Sequence, residues 1–361
     1  MERTQMRTWA EVSEGALVGN IAALRARLGG TRLMGVVKAN AYGHGAVWTA
    51  RILEREGAAY LAVATLDEAV QLREAGLALP ILIFGVTPHE FTAELLHYNI
   101  TQTVADFDAA KAYSDAAASL GKTLKCHIKL DTGMARLGFS DVSDICGALS
   151  LPALDFEGVF THFAVSDTAD GGEFTRRQFG AFRDLLRRAE TLSGKAFRLR
   201  HCANSGATLN YPETYMDMAR PGILLYGYPD LTPVMEVKSR VVSVRRLPTG
   251  ETVSYGRKFT AGRDTLVAVL PVGYADGLRR TLSGGFEVLL NGRRAPQIGT
   301  ICMDMCMVDV TNVPNIRVGD TATVFGRAPA MTARELADLS GTIPYEVLCA
   351  VSARVPRVYV P

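Results

Sequence analysis

The sequence is poor in cysteine, histidine and long apolar runs, and each shortage excludes a class of protein. Six cysteines and six histidines occur among 361 residues. They form no Cys-x-x-Cys pair and no close histidine pair, so we expect free thiols and no metal site. No apolar run approaches the roughly 18 residues that cross a bilayer. The first twenty residues lack the apolar core of a signal peptide, so we expect a cytoplasmic protein.

An excess of charge of either sign is also missing. Thirty-nine Lys and Arg residues against 37 Asp and Glu residues give a net charge of +2. No basic run is long enough to form a nucleic-acid-binding tract. Hydrophobic residues make up 48% of the chain, as in ordinary globular proteins. The composition therefore favours a small-molecule partner over a nucleic acid or a membrane.

The first two thirds of the sequence alternate short β-branched apolar runs with segments of helical periodicity. Candidate strands cover residues 32–39, 60–65, 80–86, 100–106, 125–132, 156–163, 197–204 and 218–227. Strands that alternate with helices indicate a parallel sheet. Eight such units predict an α/β fold of the (β/α)8 barrel type, similar to a TIM barrel.

After Gly227 the helical periodicity nearly disappears, and a mostly β C-terminal domain is predicted. Residues 286–299, "FEVLLNGRRAPQIG", alternate around an Asn-Gly pair, which predicts a hairpin. One helix is predicted at residues 332–340. We predict a strand in residues 1–10 that pairs with this domain, a barrel over 11–228 and the β-rich domain over 229–361.

Polar and cationic side chains gather at the predicted carboxyl ends of the barrel strands, where such barrels place reacting groups. They are Lys38 ending the first strand, Arg136 after the fifth, His162 ending the sixth, Asn204 and Ser205 after the seventh, and Arg220 with Gly222 in the eighth. The hydroxyl and backbone N–H groups after the last two strands suit a phosphate. Each residue alone has a simpler explanation, as a solvated lysine, a helix cap or a core histidine.

A lysine opposite a phosphate site favours a functional explanation of these residues over the simpler ones. Pyridoxal phosphate needs an amine to bind its aldehyde and donors to bind its phosphate. Nine segments, in order along nearly the whole chain, resemble those of the bacterial pyridoxal-phosphate-dependent alanine racemases. They are "VVKANAYGHG", "HIKLDTGMARLGF", "THFA", "ANSGA", "ARPGILLYG", "TVSYGRKF", "GYADG", "ICMDM" and "TIPYEV".

The resemblance implies a role for each matching residue. Lys38 is expected to bind the cofactor and to act as one catalytic base, with Tyr255 as the second base on the opposite face of the substrate. The implied cofactor contacts are Tyr42, Ser205, Gly222, Ile223 and Tyr345 at the phosphate, Arg220 at the pyridine nitrogen, and His162 and Asn204 beside them. Arg136 and the backbone N–H of Met303 are expected to hold the substrate carboxylate. Tyr274, Asp304 and Lys129 are supporting residues, and relatives carry the lysine that corresponds to Lys129 as a carbamate.

The resemblance also implies an activity and an assembly. The expected reaction interconverts L- and D-alanine and supplies D-alanine for peptidoglycan. The expected assembly is a head-to-tail homodimer in which the second subunit contributes Tyr255. Met305 stands where many relatives carry glutamine, which bears on the substrate range and hardly on the reaction type. The alternative is a broad-specificity amino-acid racemase of the same fold, although relatives of that kind usually carry an export signal, which we do not find here. A non-catalytic cofactor-binding barrel would lack the β-rich domain, and a related decarboxylase would have an acid in place of Arg220.

Overall fold

The computed structural model describes residues 7–361, which divide into two units. One unit comprises Ile21–Ala41 and Ala46–Leu225, and the other comprises Tyr42–Gly45, Tyr226–Pro361 and the N-terminal residues up to Asn20. Strand β1 (Thr8–Ser13) and helix α1 (Glu14–Leu28) begin the described chain. None of the helices within residues 7–361 combines the length and apolar character needed to cross a membrane.

The first unit is a nearly closed parallel barrel. Its strands are β2 (Arg32–Val36), β3 (Tyr60–Val63), β4 (Ile81–Ile83), β5 (Thr101–Val104), β6 (Leu124–Lys129), β7 (Leu154–Phe160), β8 (Leu199–His201) and β9 (Met218–Ala219). Each strand from β2 to β7 pairs with the next, and β9 pairs back with β2. Backbone hydrogen bonds from Asp217 to Arg200 and from Arg220 to Ala203 flank the remaining gap between β8 and β9. The predicted barrel is confirmed.

Helices connect the barrel strands, and side-chain caps begin several of them. They are α2 (Ala46–Arg55), α3 (Leu66–Glu74), α4 (Thr92–His97), α5 (Phe107–Ser119), α6 (Val142–Ser150), α7 (Gly172–Ser193) and α8 (Ser205–Asn210). Thr65, Asp106 and Asp141 each accept a hydrogen bond from a backbone N–H in the first turn. This contact satisfies a donor that the helix leaves unpaired.

All eight predicted barrel strands extend beyond the strands in the structure, and the physical reason is clear for the first and the last. The first strand ends at Val36 rather than at residue 39, because the backbone turns left-handed after Lys38. The predicted strand over 218–227 was wrong beyond Ala219, since Ile223–Tyr226 form a 3₁₀ turn. Pro221 has no N–H to donate to a neighbouring strand, which explains the early end.

The second unit is built around a nine-stranded sheet. The C-terminal strands are β10 (Met235–Arg240), β11 (Ser243–Leu247), β12 (Thr252–Val253), β13 (Phe259–Thr260), β14 (Thr265–Leu270), β15 (Glu287–Leu290), β16 (Arg293–Ile298), β17 (Cys306–Asp309), β18 (Thr321–Phe325) and β19 (Arg357–Val360). Strand β1 lies between β10 and β19 in this sheet. The strand predicted over residues 1–10 lies partly outside the described residues.

The turn and helix predictions in this unit had different outcomes. The Asn-Gly hairpin is confirmed, since Leu290 pairs with Arg293 and both turn residues have positive φ. The predicted helix is present as α9 (Ala333–Ser340), with a capping box between Thr332 and Glu335. The prediction of a single helix was wrong, because α10 (Pro344–Ala350) follows. Its seven residues are too few to show helical periodicity in the sequence.

Candidate active site

Lys38 lies two residues beyond the end of β2, at the start of a left-handed turn. Ala39, Asn40, Ala41 and Tyr42 have φ between 52° and 55°. This conformation costs an L-residue about 1–2 kcal/mol. The Ala39 N–H donates to Glu68 Oε1 at 2.6 Å, and Asn40 Oδ1 accepts from the Ala46 N–H at 2.8 Å. These side-chain contacts hold the turn that carries the half-buried Lys38.

Arg220 places a buried guanidinium at the same end of the barrel. Its side chain donates to His201 Nδ1 at 2.8 Å and to the carbonyl oxygen of Thr161 at 2.8 Å. His162 Nδ1 lies 3.4 Å from Nη2, and the guanidinium stands over the ring of Phe160. Burial lowers the pKa of Arg220 to about 10, so the group is still a cation at neutral pH. Its hydrogen-bonding partners are uncharged.

His162 is the centre of a group of positive charges. Burial lowers its pKa to about 3, and the charges of Arg220, Arg136, Lys129 and Lys38 act in the same direction. The imidazole is therefore neutral at physiological pH. The structure brings together these five residues, which the sequence placed in or just after four different barrel strands. Four cations around a neutral ring create a positive potential suited to an anionic ligand.

Lys129 ends β6 and begins the loop that presents Arg136. Lys129 is only 3% exposed, and burial together with Arg136 and Arg220 lowers its pKa to about 8. Asp131 Oδ1 accepts hydrogen bonds from the backbone N–H groups of residues 133–135 at 2.9–3.1 Å. The Phe139 N–H donates to the Lys129 carbonyl at 2.9 Å and closes the loop. Arg136 itself is exposed.

The loops after β8 and β9 are joined by a hydrogen bond at the predicted phosphate site. Asn204 caps α8, since its Oδ1 accepts from the Ala207 N–H at 3.0 Å. Ser205 does not cap the helix; its buried Oγ accepts from the Gly222 N–H at 2.9 Å. Ile223 follows at the start of the 3₁₀ turn. The simpler explanation as a helix cap therefore applies to Asn204 alone.

In the second unit, Tyr42 lies in an aromatic cluster. Its ring centroid is 4.9 Å from that of Tyr226 and 5.8 Å from that of Tyr345, which α10 supplies. Burial raises the pKa of Tyr42, with smaller contributions from Tyr345 and Cys349 in the same direction. The Tyr42 hydroxyl therefore keeps its proton and can donate a hydrogen bond.

Tyr255, in the same unit, projects from a turn of unusual backbone. Ser254, Gly256 and Arg257 have positive φ, and Thr300 Oγ1 donates to the Tyr255 carbonyl at 2.8 Å. The side chain is 70% exposed. The turn fixes the backbone while the phenol projects into solvent.

Met303 lies in a tight loop tied to the segment that carries Tyr274. The Cys302 N–H donates to the Met305 carbonyl at 2.9 Å, and the Ala275 N–H donates to the Met303 carbonyl at 3.0 Å. Asp304 Oδ1 lies 2.7 Å from Arg354. Arg354 also binds Asp276, whose carboxylate accepts from the Gly273 N–H just before Tyr274. The two segments thus share one network.

Several of these neighbours were missed by sequence reasoning. His127 and His201 lie in strands that were predicted correctly, but a single histidine in a strand does not distinguish a core residue from a polar network. Arg354 has no sequence signal at all. Within residues 7–361, which contain all six cysteines, there is no disulfide and no cluster of potential metal ligands.

Comparison with known proteins identifies one family over nearly the whole length. Residues 12–230 match the model "Alanine racemase, N-terminal domain", and residues 234–359 match "Alanine racemase, C-terminal domain". The chain is 45% identical to the alanine racemase of Desulforamulus reducens and 46% identical to that of Desulfovibrio desulfuricans, with 98% of each chain covered. The solved alanine racemase of Clostridium difficile 630 has a TM-score of 0.93 at 37% identity and covers 99% of this chain and 96% of its own. The chain therefore belongs to the alanine racemase family and is an amino-acid racemase.

Proposed function

We propose that the chain interconverts L- and D-alanine with pyridoxal phosphate as its cofactor, using Lys38 and Tyr255 as two bases. The observation that carries the proposal is the group of positive charges on Arg220, Arg136 and Lys38 that acts on neutral His162. The substrate is an amino acid with a carboxylate, and the cofactor adds a phosphate, so both molecules bring negative charge to this end of the barrel. The family membership then favours alanine as the substrate and peptidoglycan synthesis as the use of the product.

The barrel residues fit the proposed cofactor chemically. The Ser205 hydroxyl already accepts from the Gly222 N–H, which leaves its own proton for a phosphate oxygen. From the resemblance, Ile223, Tyr42 and Tyr345 complete the phosphate contacts, and the neutral Tyr42 is a suitable donor. Lys38 would hold the aldehyde carbon, beside Asn204 and His162. When bound, pyridoxal phosphate supplies the electron sink for removal of the Cα proton.

Arg220 supports racemisation over competing reactions. A guanidinium donates hydrogen bonds but does not release its protons near neutral pH. Facing the pyridine nitrogen, it would bind this atom without protonating it. This limits how much negative charge leaves the substrate Cα and favours prompt return of a proton to that carbon. Racemisation is therefore favoured over transamination.

The remaining residues would orient the substrate and exchange its proton. The planar Arg136 guanidinium suits a carboxylate in two-point fashion, and the Met303 N–H is proposed as the second contact. Lys129, as a carbamate, would place a negative charge beside Arg136. Tyr274 and Asp304 support the Met303 loop. Lys38 Nζ and Tyr255 Oη would hold the proton on opposite faces of the substrate.

A substrate panel tests the reaction. Purified protein with pyridoxal phosphate and L-alanine is expected to form D-alanine, and the rates on serine and lysine should be much lower. Equal turnover of the three amino acids would instead favour the broad-specificity racemase that Met305 leaves open. No D-enantiomer from any amino acid would contradict the proposed function.

The two-base arrangement predicts an asymmetric effect of Tyr255→Phe. Without the phenol oxygen, exchange of the Cα proton of L-alanine with solvent should fall by about 100-fold or more, the scale of a lost general base. Exchange from D-alanine, assigned to Lys38, should be much less affected. Tyr98→Phe, which is outside the proposed site, is the control. Equal loss of both exchange rates would exclude this division of roles.

A further inference from the structure

A line of polar side chains runs from Arg220 into the interior of the barrel. Arg220 Nη1 lies 2.8 Å from His201 Nδ1, and His201 Nε2 lies 2.8 Å from His127 Nδ1. His127 Nε2 in turn faces Glu157 Oε1 at 3.6 Å. Both histidines are fully buried. The interior of such barrels is normally filled by apolar branched residues, so a buried line of polar side chains there requires a physical explanation.

The geometry allows one arrangement of protons along the line. A guanidinium can only donate, so His201 Nδ1 must accept and His201 must carry its proton on Nε2. That proton points at His127 Nδ1, which must also accept, so His127 carries its proton on Nε2. This last proton faces the Glu157 carboxylate at 3.6 Å, which is an electrostatic contact rather than a hydrogen bond. Burial lowers the pKa of both histidines, which agrees with two neutral rings.

Local backbone features bring Glu157 and His127 together. In the pairing of β6 with β7, Cys126 is opposite Phe156 and His127 is opposite Gly158, so Glu157 is the extra residue of a bulge. A bulge turns a side chain away from the regular alternation. A Cβ at Gly158 would approach the His127 ring to 2.5 Å. Glycine at this position therefore makes room for the imidazole.

Glu157 remains charged in this setting. Its Oε1 accepts a hydrogen bond from the Tyr60 hydroxyl at 2.7 Å, and Arg198 lies 3.6 Å from Oε2. Burial raises the pKa of Glu157, but the contacts with His127 and Tyr60 outweigh it and bring the pKa to about 2. The line thus has a cation at one end, an anion at the other and two neutral imidazoles between them.

We propose that Glu157 is a positioning residue for Arg220: its carboxylate fixes the tautomers of His127 and His201, and His201 then fixes the direction of the guanidinium. The inference rests on the proposed function only in assigning Arg220 to the cofactor ring. If His127 carried its proton on Nδ1, that proton would face the Nε2 proton of His201. The hydrogen bond between the two histidines would then be lost, and with it the orientation of His201 that lets this ring accept from Arg220.

The proton arrangement is testable in the unmodified protein by ¹⁵N NMR of its histidine rings, with His127→Asn and His201→Asn to assign the signals. Both rings are expected to be neutral, with the proton on Nε2. A proton on Nδ1 of either ring, or a doubly protonated ring, would overturn the proposal. This measurement does not depend on activity or on any variant that replaces Glu157.

Two variants, Glu157→Gln and Tyr60→Phe, distinguish the effect of the Glu157 charge from an effect of local packing. The side-chain amide introduced by Glu157→Gln can turn its N–H donor toward His127, so a population with the proton on Nδ1 should appear. The kcat should fall about tenfold, less than the roughly hundredfold cost of a 1 Å misplacement. KM should change less than twofold, because Glu157 does not touch the substrate. Tyr60→Phe keeps the carboxylate and should leave tautomers and kcat nearly unchanged.

The outcomes distinguish the two proposals. Unchanged tautomers in Glu157→Gln, or an equal fall of kcat in Tyr60→Phe, would show that Glu157 has only a packing role. If the predicted tautomers are found but the protein does not racemise alanine, the proton line stands and the proposed function fails. If Glu157→Gln does not fold, the spectrum of the unmodified protein still decides the proton arrangement.

Discussion

At the scale of single residues, burial and neighbouring charge decide the protonation of the groups at the barrel mouth. Lys129 has a pKa of about 8 because it is buried near two guanidinium groups. His162 is neutral because it is buried among four cations. Neither state follows from the residue type, since an exposed lysine is charged and an exposed histidine titrates near neutrality.

The low pKa of Lys129 predicts pH-dependent carbamate formation. Only the neutral amine reacts with carbon dioxide, and a folded-state pKa below the ordinary value means that the amine loses its proton as the pH rises through about 8. At constant carbon dioxide pressure, the carbamate signal in ¹³C NMR should therefore increase from pH 6 to pH 9. Lys129→Ala should abolish the signal, whereas Lys125→Ala, at an exposed position of the same strand, should retain it. A signal that is independent of pH, or that persists in Lys129→Ala, would contradict the assignment.

At the scale of elements, the left-handed turn after β2 joins a regular strand to a strained segment. Four consecutive residues, none of them glycine, have positive φ. Such strain persists only where surrounding contacts maintain it, and it is concentrated at functional sites. Here Glu68 and Asn40 supply those contacts, next to the proposed cofactor lysine.

Glycine at an exposed position of this turn should stabilise the protein. Ala39→Gly removes a left-handed penalty of about 1–2 kcal/mol but adds chain entropy of about 0.5–1 kcal/mol, so the free energy of unfolding should rise by about 0.5–1 kcal/mol. The matched control is Ala118→Gly in α5, where the same change should cost up to about 1 kcal/mol. Urea unfolding of the two variants measures the difference. Destabilisation of equal size in both would show that the turn is not strained.

At the scale of the whole molecule, the two proposed bases belong to different units. Lys38 lies in the barrel unit and Tyr255 in the β-rich unit, where its side chain is 70% exposed. Proton transfer requires the phenol oxygen to lie within hydrogen-bonding reach of the proton that it removes from the substrate. The proposed head-to-tail homodimer would bring the exposed Tyr255 of the partner subunit to the site that holds Lys38.

Shared sites predict that two inactive variants restore activity together. In mixed dimers of Lys38→Ala and Tyr255→Phe, one site combines Lys38 with Tyr255 of the partner subunit. After full subunit exchange, half the dimers are mixed and each has one intact site, so activity should reach about a quarter of the unmodified level. Each variant mixed with itself is the control. Mixtures in which exchange has been verified but which remain inactive would place both bases on one chain.

The sequence by itself determined the barrel, the following β-rich unit and the family. Apolar runs of strand length that alternate with helical segments pack in few ways other than as a parallel sheet covered by helices. The Asn-Gly pair strongly favours a two-residue hairpin turn. Short elements were harder to predict, because α10 and β9 contain too few residues to show a helical or strand periodicity in the sequence. Their ends depend on neighbouring strands and on Pro221.

Only the tertiary structure decided the protonation states and the line from Arg220 to Glu157. These depend on distances between residues on four different segments of the barrel. His127 is 74 positions from its partner His201, and a bulge in β7 turns Glu157 toward the histidine ring. Hydrogen bonding and desolvation act through space. The sequence could supply the groups, but only folding placed a carboxylate, two neutral imidazoles and a guanidinium in one buried row.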